Sequence, residues 1–157
     1  MIKRIISPEH KNISEHHEHW LNLDTIAQVE VTSEEMAHPI ESGLLPDSES
    51  GWEAAQPGPQ TVRLLFEQPQ RIKRVHLEFH EYQAARTQEF VLCWSSDGGR
   101  SYREIVRQQY NFSPPETTAE REDYSVDLDG VTNLELTIIP EIGGGSARAS
   151  LAHLCVA

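Results

Sequence analysis

The chain has 157 residues, a formal net charge of -12 and a pI near 5.0. Nucleic acids and anionic membranes bind cationic surfaces, so this charge argues against both as partners. The length predicts a single domain with a hydrophobic core that needs neither disulfide nor metal. No segment approaches a membrane-spanning length, and Met1–Pro8 lacks the apolar run of a signal peptide, which favours a cytoplasmic protein.

The first 24 residues are rich in His and Glu and show no strand alternation. Ser14 is placed to cap a short helix over Glu15–Leu21. The run Glu15–His19 holds three histidines, but zinc needs about four converging ligands and these three do not share a helix face. We favour a solvated histidine-rich surface, with a metal sensor as the alternative. The predicted organisation is an N-terminal extension, 1–24, packed on a β-domain, 25–157.

Alternation of apolar and polar residues predicts a series of strands along the rest of the chain. The first covers Thr25–Thr32, and the Pro- and Gly-rich segment Ser33–Gln60 is predicted to be mostly irregular. The later strands are Thr61–Phe66, Arg71–Phe79, Gln88–Ser95, Ser101–Arg107, Tyr124–Leu128, Asn133–Ile139 and Ala149–Val156. Short strands at regular spacing without a long helix predict an all-β fold, an eight-stranded antiparallel β-sandwich or jelly roll.

The connections between these strands alternate in length, which predicts where the loops gather. Short turns are predicted at Glu67–Gln70, Asp97–Arg100 and Asp129–Thr132, and long loops at Ser33–Gln60, His80–Thr87, Gln108–Arg121 and Pro140–Arg148. Antiparallel strands reverse direction at each turn, so every second connection lies at the same end of the sheet. We therefore expect the long loops at one end, where binding sites usually lie on a rigid β scaffold.

Several motifs follow one another in a characteristic order. The first is His38–Leu44, which is followed by Gly51-Trp52, and the second is the strand pair Thr61–Phe79. The third is Trp94–Tyr102, in which a strand leads into an Asp-Gly turn and an aromatic residue. The last two strands, Asn133–Pro140 and Ala149–Val156, complete the series. Together they resemble the discoidin-type domains, also called coagulation factor 5/8 type C or galactose-binding-like domains. The resemblance covers about Ile26–Ala157. It implies an eight-stranded jelly roll that binds sugars, lipids or protein partners through loops at one end.

The resemblance also implies a structural calcium ion beside an Asp-Gly loop. In this chain that loop reads Glu41-Ser42-Gly43, with Asp47 and Glu49 nearby. Calcium needs six to eight oxygen ligands in flexible geometry. Because the acidic position is changed, we expect at most a weak calcium site, and no other cofactor.

A sugar site needs an aromatic face for the apolar side of the ring and planar polar groups for its hydroxyls. The long-loop end offers aromatic candidates and polar candidates, which are Trp52, Tyr82, Tyr110, Phe112, Glu41, Arg86, Asn111 and Arg148. Structural roles compete at several positions. Trp52 precedes the first core strand and would serve as a packed plug, and Arg86 is placed to pair with Glu81 or Glu89. The segment Tyr110–Pro115 predicts a proline-braced loop that either presents a platform or anchors itself to the domain.

The sequence contains no motif that indicates catalysis. It has no Gly-x-Ser-x-Gly elbow, and Gly143–Gly145 opens no helix and so cannot cradle phosphate. Cys93 lies in mid-strand rather than at an exposed electropositive position, and Cys93 and Cys155 are most simply buried thiols. We predict a non-catalytic binding module for a carbohydrate or related polar small ligand. The alternative is an intracellular protein–protein interaction domain of the same fold, with a protein partner or a homo-oligomer.

Overall fold

The structure is a computed structural model that describes residues 20–157, so the histidine-rich run and most of the predicted N-terminal helix lie outside the described residues. Residues 20–157 form eight strands and two helices of four residues each. Neither of these helices is long and apolar enough to cross a membrane. The elements are α1 (Leu23–Ile26), β1 (Ala27–Val31), α2 (Glu41–Leu44), β2 (Trp52–Pro57), β3 (Gln60–His80), β4 (Arg86–Ser95), β5 (Arg103–Phe112), β6 (Ala119–Ile139), β7 (Arg148–Leu151) and β8 (His153–Val156).

Six strands belong to one antiparallel sheet in the order β1-β3-β6-β4-β5, with β8 also paired to β3. The strands β2 and β7 form a separate antiparallel pair. The first half of β3 lies beside β1, where Val29 is opposite Leu64. Its second half lies beside β8, where Leu77 is opposite Leu154. Strand β3 therefore pairs with β6 along its whole length. On its other side it pairs with β1 in its first half and with β8 in its second half.

Strands β3 and β6 are each 21 residues long and are distorted at mid-length. Their register shifts between Leu65 and Arg74, which marks β-bulges, and Glu67–Pro69 is exposed. The predicted turns at Glu67–Gln70 and Asp129–Thr132 are therefore wrong, because the two strands stay paired through this region. Pro69 lacks an amide hydrogen and so reads as a turn residue, yet a bulge tolerates it equally well.

The bulged region folds the second half of β3, paired with the first half of β6, over the first half of β3, paired with the second half of β6. The inner faces of these two layers pack together. The ring centroid of Phe79, near the end of β3, lies 5.3 Å from that of Phe90 on β4, a strand to which β3 is not paired. Alternate residues of both halves are buried in one hydrophobic cluster, as for Leu64 and Leu77. Burial of this apolar surface is the main force that holds the two layers together. The predicted antiparallel β-sandwich is confirmed.

The long loops do lie together at one end of the sandwich. The Glu81 N–H donates to the Thr118 carbonyl at 2.8 Å, which joins the loop after β3 to the loop before β6. The turn at Asp97–Arg100 and the distorted middle of β6 meet at the other end, where the Gly98 N–H donates to Thr132 Oγ1 at 2.9 Å. The expected separation of long loops from short connections is thus present. It arises because β3 and β6 fold over in mid-strand and because a tight turn joins β4 to β5 at the same end.

Several predicted strand boundaries are wrong. Strand β5 does not end at Arg107 but continues to Phe112, because it stays paired with β4 as far as Arg86. The predicted last strand is two strands, β7 and β8. The chain leaves its partner β2 at Leu151 and joins β3 from His153 onward. The segment 33–60, predicted to be mostly irregular, contains α2 and β2.

The described end of the N-terminal segment lies along the outer side of β3 and β8. The Leu21 N–H donates to the Val156 carbonyl at 2.7 Å, beside the end of β8. The guanidinium carbon of Arg74 lies 5.0 Å from the centroid of the Trp20 ring, and the His76 ring centroid is 6.2 Å from it. Residues 20 and 21 therefore pack on the β-domain.

Candidate ligand-binding cleft

A cleft of about 350 Å³ opens at the long-loop end of the sandwich. Three parts of the chain form it: the segment that leads into β2, the end of β3 with the following loop, and the β7–β8 junction. Strand β2 brings the first and third parts together, because Trp52 pairs with Leu151 and Glu53 with Ser150. The cleft is lined by His38, Glu49, Ser50, Gly51, Trp52, Glu53, His80, Tyr82, Ser150, Leu151 and Ala152.

Tyr82 supplies the exposed aromatic surface of the cleft. The residue is 66% exposed, which is unusual for a large aromatic side chain, and it lies in the loop that follows β3. Its ring centroid is 5.6 Å from that of His80, with the two ring planes inclined at 59°. An aromatic face next to groups that form hydrogen bonds is the combination that binds a sugar ring, whose two faces are apolar and whose edge carries hydroxyls.

His38 and Glu53 form a pair of hydrogen-bond acceptors in the cleft. His38 Nδ1 lies 3.3 Å from the Ser50 carbonyl oxygen. Because a carbonyl oxygen only accepts, this contact places the ring proton of neutral His38 on Nδ1. Nε2 is then an acceptor, and it lies 3.9 Å from Glu53 Oε2. Two acceptors at this distance do not bond to each other, so both remain available to hydroxyl donors of a ligand.

His80 connects the cleft to a charged network on the outer face of β3. Its Nε2 lies 3.3 Å from Glu78 Oε1, an oxygen that also accepts a hydrogen bond from Arg121 Nε. His153 Nε2 lies 3.8 Å from the other carboxylate oxygen of Glu78. Burial acts to raise the pKa of Glu78, but the hydrogen bond from Arg121 and the nearby His80 ring outweigh it and the pKa is lowered. Glu78 is therefore ionised at neutral pH, and its charge is paired with that of Arg121.

The floor of the cleft is rigid because backbone and indole approach each other closely there. Trp52 is 1% exposed, and its Nε1–H donates to the Ser33 carbonyl at 3.0 Å. Gly51, directly before it, has a φ of 68°, and a Cβ at this position would lie 2.8 Å from the Leu151 carbonyl oxygen. A side chain at position 51 would therefore displace the β7–β8 junction. The packed role for Trp52 is the one that the structure shows.

Three of the sequence-predicted site residues form an internal cluster outside the cleft. Arg86 is 6% exposed and Phe112 is 1% exposed, with the guanidinium carbon 4.8 Å from the Phe112 ring centroid. Tyr110 packs edge-on against Phe112 at 5.2 Å. Burial raises the pKa of Tyr110 far above its ordinary value. The predicted loop is wrong at Tyr110 and Phe112, because both lie on β5, and the buried Phe112 ring fits the anchoring alternative.

The polar candidates from the sequence lie apart from one another. Asn111 Oδ1 accepts a hydrogen bond from the Thr87 hydroxyl at 2.6 Å. Arg148 Nη1 lies 3.4 Å from Glu35 Oε2. Glu41 is exposed in α2. Of the eight candidates, only Trp52 and Tyr82 line the cleft.

Six polar residues of the cleft were not among the candidates: His38, Glu49, Ser50, Glu53, His80 and Ser150. His80 carried a usable signal, since it ends a predicted strand and opens a long loop. Glu53 and Ser150 did not, because their proximity depends on the pairing of β2 with β7, and β2 was not predicted.

The loop that would hold the implied calcium is largely a helical turn. Its residues Glu41 to Leu44 form the helical turn α2, and the Ile40 N–H donates to Glu34 Oε2 at 2.8 Å. Within residues 20–157 there is no group of three or more His, Cys, Asp or Glu side chains placed to hold a metal ion. Calcium here would depend largely on backbone carbonyls, and it stays a prediction.

Several solved carbohydrate-binding modules share this architecture. The family 32 module of C. perfringens NanJ, solved with galactose, has a TM-score of 0.63 at 14% identity and covers 87% of this chain and 96% of its own. The family 32 module of AlyQ, solved with 4,5-unsaturated mannuronic acid, has a TM-score of 0.62 at 15% identity, with 84% and 95% covered. The chain has the galactose-binding-like fold.

A pectin-binding carbohydrate-binding module has the same architecture, with a TM-score of 0.61 at 15% identity and with 84% and 90% covered. No protein-family model matches the sequence, and no curated protein matches it either. The similarity is therefore one of fold, and the function of this chain has to be argued from its own residues.

Proposed function

We propose that this protein is a non-catalytic carbohydrate-binding module and that the cleft around Tyr82 is its ligand site. The observation that carries the proposal is the exposed Tyr82 ring beside the acceptor pair His38 and Glu53, at the loop end of the sandwich. A sugar ring would lie against Tyr82 while its hydroxyls donate to the acceptor pair. The fold supports this, since the similar solved modules are carbohydrate-binding proteins.

We also propose that the chain is a divergent relative of the discoidin-type domains. The support is the order of its motifs, above all the turn after β4. There Asp97 accepts hydrogen bonds from Ser95 and Ser101, and Tyr102 follows. Because the resemblance implies binding of either sugars or proteins, experiment has to distinguish a sugar ligand from a protein partner.

The affinity of such a cleft for one monosaccharide is expected to be weak. One aromatic contact and a few hydrogen bonds have to offset the loss of ligand freedom and the desolvation of polar groups. Functional strength would then come from several modules acting on one polymer. Binding assays should therefore include oligosaccharides and high monosaccharide concentrations.

The test is a titration of the protein with a broad panel of neutral and acidic saccharides, followed by calorimetry or by chemical shifts. Tyr82→Ala should weaken binding of the best ligand by about tenfold or more, because stacking and its apolar area are lost. Ile142→Ala is the matched control, since Ile142 is also exposed at the loop end but does not line the cleft. It should leave the affinity unchanged.

Two results would contradict the proposal. Equal affinity of wild type and Tyr82→Ala would show that the ligand binds elsewhere. Absence of binding across the whole panel, together with a stable protein partner or a homo-oligomer in native extracts, would favour the protein-interaction function of the same fold.

A further inference from the structure

We propose that the cleft selects uncharged saccharides and discriminates against uronates, the sugars that carry a carboxylate. This inference rests on the proposed function and narrows it to a ligand class. It concerns the charge of the ligand rather than the stereochemistry of its hydroxyls.

The fixed charges of the cleft are negative. Its lining includes two carboxylates, Glu49 and Glu53, and contains neither Lys nor Arg. Glu78 lies behind His80, at 3.3 Å from its Nε2, but its charge is paired with that of Arg121, so Glu49 and Glu53 are the carboxylates that a ligand would meet. A carboxylate on the ligand would therefore enter a region of like charge.

The neighbouring guanidinium groups do not offset this charge, because each already faces a carboxylate. Arg121 donates to Glu78. Arg148 lies 3.4 Å from Glu35, a residue whose N–H also donates to the Glu53 carbonyl at 2.8 Å. Each of these guanidinium groups is paired with a carboxylate that does not line the cleft, so neither neutralises Glu49 or Glu53.

The hydrogen-bonding groups of the cleft point to the same ligand class. The carboxylates of Glu49 and Glu53 accept hydrogen bonds only, and neutral His38 offers Nε2 as an acceptor. Neutral sugars bring many hydroxyl donors, which satisfy such acceptors. A uronate replaces a donor by two further acceptors, so it loses hydrogen bonds as well as meeting repulsion.

The expected discrimination is about fivefold or more between a neutral sugar and the matching uronate at low salt. Two unit charges a few ångströms apart interact by roughly this amount even in the high dielectric of an exposed cleft. Raising the salt from about 0.1 to about 1 M shortens the screening length from about 10 to about 3 Å, so the discrimination should shrink. Discrimination by shape alone would not respond to salt in this way.

The experiment compares galactose with galacturonate, glucose with glucuronate and mannose with mannuronate at neutral pH by direct titration of the intact protein. In each pair of sugars that binds, we expect the neutral sugar to bind more tightly than the uronate at low salt. Glu53→Gln should reduce the affinity ratio of neutral sugar to uronate by about threefold, and Glu49→Gln should act in the same direction. Glu67→Gln, exposed in the mid-strand bulge of β3 at the opposite end, makes the same charge change and should leave the ratio unaltered.

The outcomes separate the inference from the proposed function. Equal or tighter binding of the uronates, or a ratio that neither Glu53→Gln nor Glu49→Gln alters, would overturn the charge selection while leaving a carbohydrate-binding module. Failure of both members of every pair to bind at any salt concentration would overturn the proposed function, and the inference with it.

Discussion

Replacing Arg86 by Met tests whether this arginine holds the loop end together or binds ligand. Its Nε donates to Glu81 Oε1 at 2.7 Å, and its Nη1 donates to Gln88 Oε1 at 2.6 Å and to the Pro140 carbonyl at 2.7 Å. The guanidinium also stacks on Phe112. One buried side chain therefore joins β4 and β5 to the loops that follow β3 and β6.

The loss of stability expected for Arg86→Met follows from the polar groups that lose their hydrogen-bond donor. Met has a similar length but donates no hydrogen bond, so the half-buried Glu81 carboxylate and the fully buried Gln88 amide both lose a donor. Removal of one partner of a buried ion pair costs about 3–5 kcal/mol. For a domain of this size, that loss lowers the melting temperature by roughly 10 °C.

The loss of stability in Arg86→Met should become smaller at acidic pH. Burial acts to raise the pKa of Glu81, but the hydrogen bond from Arg86 outweighs it, so the pKa in the folded protein lies below its ordinary value of 4.5. The wild type therefore has the full contribution of this carboxylate above about pH 4.5 and loses it as the pH falls further. The difference in stability between wild type and variant should narrow over the same acidic range.

The measurement is urea-induced unfolding followed by tryptophan fluorescence, at neutral pH and then at successively lower pH. Arg100→Met is the matched control, since Arg100 is exposed in the turn at the opposite end and makes the same charge change. It should alter the stability by less than about 0.5 kcal/mol. A loss below about 1 kcal/mol for Arg86→Met, combined with loss of sugar binding, would refute the structural role and make Arg86 a ligand residue.

Four further predictions concern the core, the turn after β4, the thiols and calcium. Phe79→Ala should cost about 3–5 kcal/mol in chemical unfolding, because it empties the contact between the two layers; a loss under about 1 kcal/mol would contradict the face-to-face packing. Hydrogen bonds from Ser101 and Ser95 lower the pKa of Asp97, so Asp97→Asn should lower the melting temperature at neutral pH and flatten the loss of stability below about pH 4. A melting curve that responds to acid as the wild type does would argue against that network. Cys93 and Cys155 are free thiols. Burial raises the pKa of both thiols, and that of Cys155 to about 11. A thiol reagent near pH 8 should therefore label the folded protein slowly and label two thiols after denaturation. Calcium and a chelator should leave the melting temperature within about a degree of each other, since binding to the folded state would otherwise raise it; a saturable rise with calcium would reveal a site made from backbone carbonyls.

Local sequence determined the faces of the strands correctly. Val62, Leu64, Val75 and Leu77 alternate with polar residues, and all four are buried. Alternation is a property of the extended backbone itself, because successive side chains point to opposite sides. The same regularity was enough to predict an all-β sandwich with its long loops at one end.

Local sequence did not determine how the strands continue or which loops meet. Pro69 with its polar neighbours looks like a turn until β6 is seen to pair across it, and Tyr110 looks like a loop residue until β4 is seen to pair with it. In both cases a partner distant in sequence decides the conformation.

The cleft depends on tertiary structure even more strongly. His38, Glu53, His80 and Ser150 come from four separate places in the chain, and only the pairing of β2 with β7 and the close approach at Gly51 bring them together. Tyr82 could be selected from the sequence because an aromatic residue in a long loop is a signal by itself. Its acceptor partners have no such signal, since their role exists only after the loops have packed against one another.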